Sequence, residues 1–317
     1  MVRTPDGDLV PCQSASMLLD LVPEARQIAD IDLLPIANID STNLEPSLWL
    51  TLAKTIFDQM KEYDGFVLTH GTDTLAYTSA ALSFMLQELG KPVIITGSQV
   101  PLEEIGSDGR GNLINSFRVA VSDIAEVAVV FGSLIMRGTR AKKTSAFDMQ
   151  AFTSANDPPL GHIGLSIKFN PDIRFRAKRK PLLQAHLDSN IAMLPVYPGL
   201  KPEVLEFLAK SHHGVILEGY GAGNIPTEGL SLVPAIQQAT TRNVPVVVCT
   251  QCLVGSTEME LYQVGRAALK AGAIPAMDMS PETALVKLMW VRGQASDLPT
   301  IDSLMQKSFA GELHEVS

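Results

Sequence analysis

Hydrophobic and polar positions alternate along this chain with two periods, one typical of buried strands and one typical of helices. Residues 65–68, Gly-Phe-Val-Leu, form a short apolar run between polar neighbours, which predicts a buried strand. Thr72, Asp73 and Thr74 follow, and such residues favour a helix N-terminus. The next apolar positions have helical spacing up to a terminating Gly90. They predict a helix with these residues on one side: Leu75, Thr78, Ala81, Leu82, Met85, Leu86 and Leu89.

The same alternation continues through the rest of the sequence. Further strands are predicted at residues 32–38, 92–96, 126–131, 191–196, 214–217 and 244–249. Helices are predicted at residues 14–21, 46–63, 107–121, 202–210, 229–242, 259–271, 281–291 and 300–309. Residues 136–144 predict a basic loop or hairpin edge. Strands separated by helices indicate βα units, so we expect an α/β fold with parallel sheets.

A basic segment divides the chain into two halves. Residues 173–181 carry five cations in nine positions. Such a run is compatible with a nucleic-acid or targeting patch, but between two folded halves of an acidic protein a solvated linker is the better interpretation. We therefore expect a larger N-terminal parallel-sheet domain at residues 1–172, a linker at 173–189 and a smaller C-terminal α/β domain at 190–317.

Composition and charge exclude several classes of protein. The 317 residues are 46% hydrophobic and 19% charged, as in ordinary globular proteins, and the net charge of −9 argues against a nucleic-acid or anionic-membrane partner. No apolar run approaches the roughly 20 residues of a membrane span, and the first residues lack the apolar region of a signal peptide. Three cysteines make a disulfide framework unexpected, which indicates a reducing cytoplasm.

Several short motifs that often carry chemistry have simpler interpretations here. Cys249 and Cys252 form a C-x-x-C that closes a Val-rich strand, so we expect buried thiols rather than a redox pair or a zinc site. Residues 219–224 are Gly-rich without matching G-x-G-x-x-G, which favours a tight loop with positive φ, closely followed by a ligand-contacting loop. A structural role is expected for His70, and residues 212–213, His-His, suit a helix C-terminus. The sequence has no H-x-x-x-H pair and no G-x-S-x-G nucleophile elbow, and neither a metal nor a cofactor is expected.

The remaining candidates for chemistry are polar side chains at several strand ends. In open α/β sheets, ligands bind at the carboxyl ends of the strands. A Lys beside a Thr can stabilise its alkoxide and act as base, while a carboxylate orients the Lys. On spacing alone, however, the residues after the strand at 65–68 are more simply helix caps. The candidates are Ser41, Thr42, Thr72, Asp73 and Ser98, with Lys143 as the cation.

Several motifs follow one another along the chain in a specific order. In the first half they are Thr69-His-Gly-Thr-Asp-Thr74, Ile95-Thr-Gly-Ser-Gln99, Ser107-Asp-Gly109 with Asn112, and Arg140-Ala-Lys-Lys-Thr144. In the second half they are Tyr197-Pro-Gly199, Tyr220-Gly-Ala-Gly-Asn224 and Thr250-Gln-Cys252. Together they resemble the bacterial-type L-asparaginase family, in its cytoplasmic type I branch. The resemblance covers nearly the whole chain, and it shifts the interpretation of Thr72 and Asp73 from caps to half of a catalytic site.

The resemblance implies hydrolysis of L-asparagine to aspartate and ammonia by a homo-oligomer, a dimer or more commonly a tetramer. Thr72, Asp73 and Lys143 fit the catalytic set of the family. The substrate-binding set implied by the resemblance and the strand ends is Asp40, Ser41, Thr42, Thr72, Asp73 and Ser98. A second-subunit or effector site is implied for Asn224, Thr250, Gln251 and Cys252.

The sequence also departs from the family pattern. The family opens with a strand ending in T-G-G-T-I, whose last Thr is the usual nucleophile, and the 317 residues lack this motif. Because residues 1–11 resemble what normally follows it, we expect a truncated chain or a mis-assigned start codon, with low activity and stability for the chain as written. The first Tyr is Tyr63, whereas members often carry one in the N-terminal loop. Glu218 stands where regulated members carry an Arg, which argues against activation by asparagine.

Two other functions stay open beside the asparaginase. A catalytically impaired protein that binds or senses an amino acid would need the same binding groups without the first Thr. A Rossmann-type nucleotide enzyme is a weaker third, since the chain has no G-x-G-x-x-G motif.

Overall fold

A computed structural model describes residues 2–3, 6, 9–10 and 15–315 of the chain. The chain divides into two compact units, residues 1–185 and 186–317. None of the helices in these described ranges has the length and apolar character needed to cross a bilayer.

In the first unit, strands and helices do not alternate regularly along the chain. Its strands are β1 (Val2–Arg3), β2 (Leu9–Val10), β3 (Phe66–Thr69), β4 (Leu86–Gln87), β5 (Val93–Thr96), β6 (Val127–Phe131), β7 (Leu134–Arg137), β8 (Ala141–Lys143), β9 (Phe152–Ser154), β10 (Gly161–Ile163), β11 (Ile167–Phe169) and β12 (Leu182–Leu183). Its helices are α1 (Ala15–Asp20), α2 (Pro46–Gln59), α3 (Leu75–Met85) and α4 (Gly109–Ala120), with 3-10 turns at Pro23–Gln27 and Ser41–Asn43.

A six-stranded sheet in the order β11-β10-β7-β6-β5-β3 forms the centre of this unit. Strands β3, β5 and β6 are parallel, as expected for βα units, and the sheet then continues antiparallel through β7, β10 and β11. Strands β5 and β6 confirm the strands predicted at residues 92–96 and 126–131, and their side chains are buried. The predicted hairpin edge is present as β8, which pairs antiparallel with β9.

Helix α3 differs from its prediction in length and environment. Nearly every side chain from Leu75 to Met85 is buried, so the helix has no solvent-facing side. It ends at Met85 rather than at Gly90, because the next two residues form β4 and pair with β12. Glu88 then takes a positive φ of 52°, a backbone conformation that cannot continue a right-handed helix.

The strand predicted at residues 32–38 is wrong. These residues are irregular, and Leu33 and Leu34 are exposed instead of facing a core. Pro35 in the middle of the segment has no N–H to donate to a sheet ladder, which opposes strand pairing there. Apolar content alone therefore produced a false strand.

The second unit contains a purely parallel sheet, as predicted. Its strands are β13 (Ile191–Pro195), β14 (Gly214–Gly219), β15 (Val246–Thr250) and β16 (Ala273–Pro275), paired in that order. Its helices are α5 (Pro202–Ser211), α6 (Val233–Thr241), α7 (Gln263–Lys270), α8 (Pro281–Arg292) and α9 (Leu298–Gln306). The three-residue β16 was not predicted, because so short a run carries no recognisable period.

The basic segment is irregular, but it is not uniformly solvated. Ile173 is buried, and the guanidinium of Arg176 donates to three backbone carbonyls at 2.6 Å, those of Ser122, Asp64 and Ala120. Residues 178–180 are exposed, as expected for a linker. The solvated-linker interpretation is thus wrong for Arg176, which instead fastens this segment to the first unit.

Candidate active site

The candidate site in the first unit lies where β3 and β5 end. Gly71 follows the end of β3 by two residues, and Gly97 directly follows the end of β5. A Cβ on Gly71 would lie 2.5 Å from Ser41 Oγ, and a Cβ on Gly97 would lie 2.4 Å from the carbonyl oxygen of His70. Two residues without side chains therefore allow the loops carrying Ser41, Thr72 and Ser98 to pack closely.

The side chain of Lys143 joins this group from the end of β8. Its Nζ donates to Thr72 Oγ1 at 2.8 Å and pairs with Asp73 Oδ1 at 2.7 Å. Lys143 is 24% exposed and Asp73 is 55% exposed, so the ion pair faces solvent on one side. The structure thus brings together the three side chains selected from the sequence, whose catalytic role stays a prediction.

This arrangement suits activation of a hydroxyl group. An ammonium that donates to the Thr72 oxygen stabilises negative charge developing there, and a neutral amine at the same position can accept the hydroxyl proton. The carboxylate of Asp73 holds the lysine in place, which is the orienting part of a nucleophile–base–orienter set.

The cap interpretation of these residues is wrong. The N-cap position of α3 is occupied by Thr74, and the helix has no side-chain cap hydrogen bond. The Thr74 hydroxyl donates instead to the carbonyl of Ser41 at 2.8 Å. The start of α3 is thereby tied to the neighbouring loop, and Thr72 and Asp73 remain available to Lys143.

The predicted substrate-binding residues 40–42 form the start of the 3-10 turn. The carboxylate of Asp40 accepts from the backbone N–H and from the hydroxyl of Thr42, both at 2.9 Å. These two hydrogen bonds, the backbone one first, lower the pKa of Asp40 below its ordinary value. Asp40 is therefore an anion at neutral pH, while Ser41 is buried beside Gly71.

Ser98 follows β5 and is half-buried. A Cβ on Gly109, the first residue of α4, would lie 3.1 Å from Ser98 Cβ, so this loop packs against the helix start. Ser98 is thus placed beside Gln99, which contacts Thr72 directly.

Gln99 and Asp108 were missed as site residues, although both lie in motifs used for the resemblance. Gln99 Oε1 accepts from the Thr72 hydroxyl at 3.2 Å. The carboxylate of Asp108 accepts from the backbone N–H groups of Gln99 and Val100 at 3.0 Å and from Asn112 Nδ2 at 2.9 Å. The signal in the sequence is a Gln directly after the strand-end Ser, and the local pattern gives that Gln no chemical role.

His70 has the structural role predicted for it. Its Nδ1 lies 2.6 Å from the Gly71 carbonyl, and its Nε2 lies 2.9 Å from the hydroxyl of Thr78, which accepts from Trp49 Nε1 at 3.0 Å. A carbonyl only accepts, so Nδ1 carries the proton and Thr78 donates to Nε2. Burial lowers the pKa of His70, partly opposed by the Gly71 hydrogen bond, so the ring is neutral at pH 7.

The candidate effector residues lie in the second unit at the ends of β14 and β15. Gln251 donates its side-chain amide to the carbonyls of Val196 at 2.6 Å and Glu218 at 2.7 Å, so it joins neighbouring strand ends. Thr250 is buried and accepts from the backbone of Cys252 at 3.0 Å. Asn224 closes the Gly-rich loop by pairing with Tyr220, and its side-chain oxygen is buried with no hydrogen-bond partner in the described part of the chain.

Two predictions about this unit have different outcomes. The Gly-rich loop does use positive φ, 44° at Gly221 and 87° at Gly223, which confirms the tight-loop interpretation. The expectation of two buried thiols is wrong for one of them, since Cys249 is buried and Cys252 is exposed. Cys252 follows the last residue of β15 by two positions and so lies beyond the buried strand.

Within the part of the chain that the structure describes, no group of three or more His, Cys, Asp or Glu side chains is arranged to hold a metal ion.

Comparison with known proteins finds matches along both units. A family model described as Asparaginase, N-terminal matches residues 1–174, and one described as Glutaminase/Asparaginase C-terminal domain matches residues 190–305. An L-asparaginase of Thermococcus kodakarensis is 41% identical over 304 residues, which is 95% of this chain and 92% of the relative.

A second relative carries a different name. It is one subunit of the glutamyl-tRNA(Gln) amidotransferase of Pyrococcus horikoshii, and it is 39% identical over 319 residues, 97% of this chain and 72% of that protein. Among solved structures, the thermostable L-asparaginase from Thermococcus kodakarensis has a TM-score of 0.92 at 39% identity, covering 99% of this chain and 96% of that one.

Proposed function

The chain belongs to the asparaginase family, and from this premise we propose that it hydrolyses L-asparagine to L-aspartate and ammonia. The observation that carries the proposal is the contact of Lys143 Nζ with both Thr72 Oγ1, at 2.8 Å, and Asp73 Oδ1, at 2.7 Å. This is the arrangement that activation of a threonine hydroxyl requires.

In the proposed reaction a Thr alkoxide attacks the side-chain amide carbon of asparagine. The hydroxyl proton passes through Lys143 to the departing nitrogen, which leaves as ammonia, and water then hydrolyses the acyl intermediate to release aspartate. Backbone N–H groups at the strand ends hold the oxyanion in this scheme. Thr72, Asp73 and Lys143 are the catalytic residues.

We assign binding of the α-amino and α-carboxylate groups to the strand-end loops. Asp40 is an anion at neutral pH because its carboxylate accepts two hydrogen bonds from Thr42, and an anion suits a substrate ammonium. Ser41, Thr42 and Ser98 supply hydroxyl groups at the same strand ends. Together with Thr72 and Asp73 they form the proposed substrate site.

The proposal extends to organisation of the protein. We propose a cytoplasmic homo-oligomer, a dimer or tetramer, without a cofactor and without a nucleic-acid or membrane partner. Asn224, Thr250, Gln251 and Cys252 are proposed as a second-subunit or effector site. Asn224 Oδ1 is buried without a hydrogen-bond partner among the described residues, which supports a contact there with a group from outside them.

A second candidate function is an amino-acid-binding or sensing protein with impaired catalysis. It needs only the Asp40 carboxylate and the hydroxyls of Ser41 and Thr42 to hold an amino acid, and no activated nucleophile. Both functions use the same binding groups, and they differ in turnover.

Ammonia release and calorimetric binding, measured with asparagine and with glutamine, test the proposal and separate the two functions. Turnover of asparagine by the purified chain supports the hydrolase, and binding without turnover supports the second function.

Thr72→Val should abolish ammonia release, while near-normal turnover in that variant would refute the role of Thr72. Thr241→Val removes an exposed hydroxyl that bonds only within α6, at 2.9 Å to the Gln237 carbonyl, and serves as the matched control. Glutamine is included because one relative is a subunit of a glutamyl-tRNA(Gln) amidotransferase. If the chain is an asparaginase, it should turn over free asparagine faster than free glutamine.

A further inference from the structure

We propose that His70 is a positioning residue that fixes the peptide between Gly71 and Thr72. A series of three hydrogen bonds ends on this peptide. It begins at Trp49 on α2, passes through Thr78 on α3 and reaches the peptide through the His70 ring. The proposal rests on the proposed function for the use of the peptide, because backbone N–H groups hold the oxyanion in that reaction. The hydrogen bonds themselves do not depend on it.

Each hydrogen bond of the series has a determined direction. The indole N–H of Trp49 only donates, so Thr78 Oγ1 accepts from it at 3.0 Å. The Gly71 carbonyl only accepts, so His70 Nδ1 carries the proton that it donates at 2.6 Å. In the neutral ring Nε2 then has the lone pair, and the Thr78 hydroxyl donates to it at 2.9 Å. The three bonds therefore point the same way, from α2 towards the peptide before Thr72.

The series holds the His70 ring in one tautomer. Trp49 is 4% exposed and Thr78 is fully buried, so both groups behind the ring belong to the core. The Thr78 backbone N–H is also fixed, since it donates to the Thr74 carbonyl at 3.1 Å in the first turn of α3. A ring protonated on Nε2 instead would set the Nδ1 lone pair against the Gly71 carbonyl oxygen, which is repulsive at 2.6 Å.

The last hydrogen bond sets the direction of the Thr72 N–H. The peptide between Gly71 and Thr72 is trans and planar, so its C=O and N–H point in opposite directions. Because the ring holds the carbonyl, the N–H of Thr72 is directed away from the ring. The same bond polarises the peptide and makes this N–H a stronger donor. Gly71 has no side chain to restrict its backbone, so without the bond the peptide is free to rotate.

The effect of this positioning should fall on kcat. The oxyanion forms only in the reaction, so a backbone donor that is aimed at it lowers the energy of the transition state and not that of the bound substrate. A peptide that rotates presents the Thr72 N–H in the productive direction for a smaller fraction of the time. Loss of the His70 bond should therefore lower kcat and leave KM nearly unchanged.

Two substitutions of His70 separate positioning from packing, because each amide replaces one ring nitrogen. Asparagine places its amide N–H at the position of Nδ1 and keeps the donor to Gly71, whereas glutamine reaches only the position of Nε2. We expect kcat to fall about tenfold in His70→Gln, with KM within about threefold, and both constants to stay within about threefold in His70→Asn. His162→Gln, at an exposed position of β10, is the control and should change neither constant.

Both variants remove the ring from the same place, so a role in packing alone predicts equal losses. Equal losses of kcat in His70→Gln and His70→Asn, or a loss confined to KM, would overturn the proposal. The far end of the series is tested at Thr78. Thr78→Val removes the hydroxyl that holds the tautomer and should lower kcat about threefold, while Thr78→Ser keeps a hydroxyl and should retain it. Equal kcat in these two variants would overturn the role of Thr78.

The carbonyl resonance of Gly71 makes the test independent of turnover. Gly-Thr pairs occur at residues 71–72 and 138–139. Protein labelled with ¹³C at glycine carbonyls and ¹⁵N at threonine therefore gives two correlated signals, and Thr72→Val identifies the first by removing it. This signal should move in His70→Gln and stay near its position in His70→Asn, which also lacks the ring, while the 138–139 signal stays unchanged. An unmoved Gly71 signal in His70→Gln would overturn the positioning role. Absence of ammonia release from the unsubstituted chain would instead refute the proposed function alone.

Discussion

Two lysine–carboxylate pairs in this chain have the same separation and different surroundings. Lys143 Nζ lies 2.7 Å from Asp73, and Lys287 Nζ on α8 lies 2.7 Å from Glu312. The first pair is 24% and 55% exposed, whereas both side chains of the second pair are completely buried. Distance alone therefore does not distinguish the pair proposed to be catalytic from a structural one.

The groups around the buried pair explain how it is tolerated. Lys287 also donates to the carbonyls of Met305 at 2.9 Å and Lys307 at 2.7 Å, and Glu312 accepts from the backbone of Ala310 at 2.8 Å. Burial lowers the pKa of Lys287, and Glu312 opposes that shift. All of these bonds hold the segment after α9 against α8, so the pair serves to fix the C-terminal end of the described chain.

The exposed pair is organised in the opposite way. Lys143 donates one hydrogen bond to Asp73 and another to the hydroxyl of Thr72, and that hydroxyl donates to Gln99. An ammonium facing solvent on one side can exchange its proton, and a ligand can approach it. The buried pair locks a chain segment, and the exposed pair keeps a functional group accessible.

The largest expected effect is on stability, from breaking the buried pair. Glu312→Gln leaves an uncompensated cation in the core and should lower the free energy of unfolding by about 3–5 kcal/mol. Urea unfolding followed by the fluorescence of Trp290, which packs against Phe309, measures this loss. The double variant Lys287→Met/Glu312→Leu removes both charges and should recover most of it, whereas equal loss in both variants would mean that packing, not charge, is decisive.

A smaller effect is expected from His70, a half-buried titratable group beside the site. Because burial lowers its pKa in the folded chain, the unfolded chain takes up the proton first as the pH falls below about 6.5. The stabilisation by neutral His70 is therefore complete above about pH 6.5 and is lost as the pH falls towards the pKa of His70 in the folded chain. Over that range the free energy of unfolding should change by at most about 1.4 kcal/mol per pH unit. Urea unfolding between pH 5 and 8 should show this slope and lose it in His70→Gln, but not in His162→Gln, a control at an exposed position of β10. An identical pH slope in His70→Gln would contradict the assignment.

Parts of the fold and site could be predicted from the sequence, and the failures have definite causes. Continuous apolar runs identified β5 and β6 because both faces of these strands are buried. The pattern failed at residues 32–38, where apolar residues are exposed, and at the end of α3, where pairing of β4 with β12 overrides helix propensity. Such pairing depends on residues about a hundred positions away, which no local pattern contains.

The site shows the same division between local and distant information. Thr72 and Asp73 could be selected because they follow a strand, and Lys143 because a cation was needed. Gln99 was not selected, because its contact with Thr72 depends on two carbonyls at residues 145 and 148 that accept from its amide. Chemical character can be read from a sequence, but the direction of a hydrogen bond depends on every neighbour of the group.

The smallest expected change in stability is at the exposed pair of Lys143 and Asp73. Lys143→Met should change the free energy of unfolding by no more than about 1 kcal/mol, because a partly solvated pair contributes little net stability. The same substitution should abolish ammonia release, since no other amine contacts Thr72 among the described residues. Lys287→Met should do the reverse and lower stability by about 3–5 kcal/mol through its unpaired buried carboxylate. Lys210→Met, which removes an exposed pair on α5 with a separation of 4.0 Å, should affect neither property. If Lys143→Met proved as destabilising as Lys287→Met, both pairs would be structural, and the exposure of the Lys143 pair would not indicate a function.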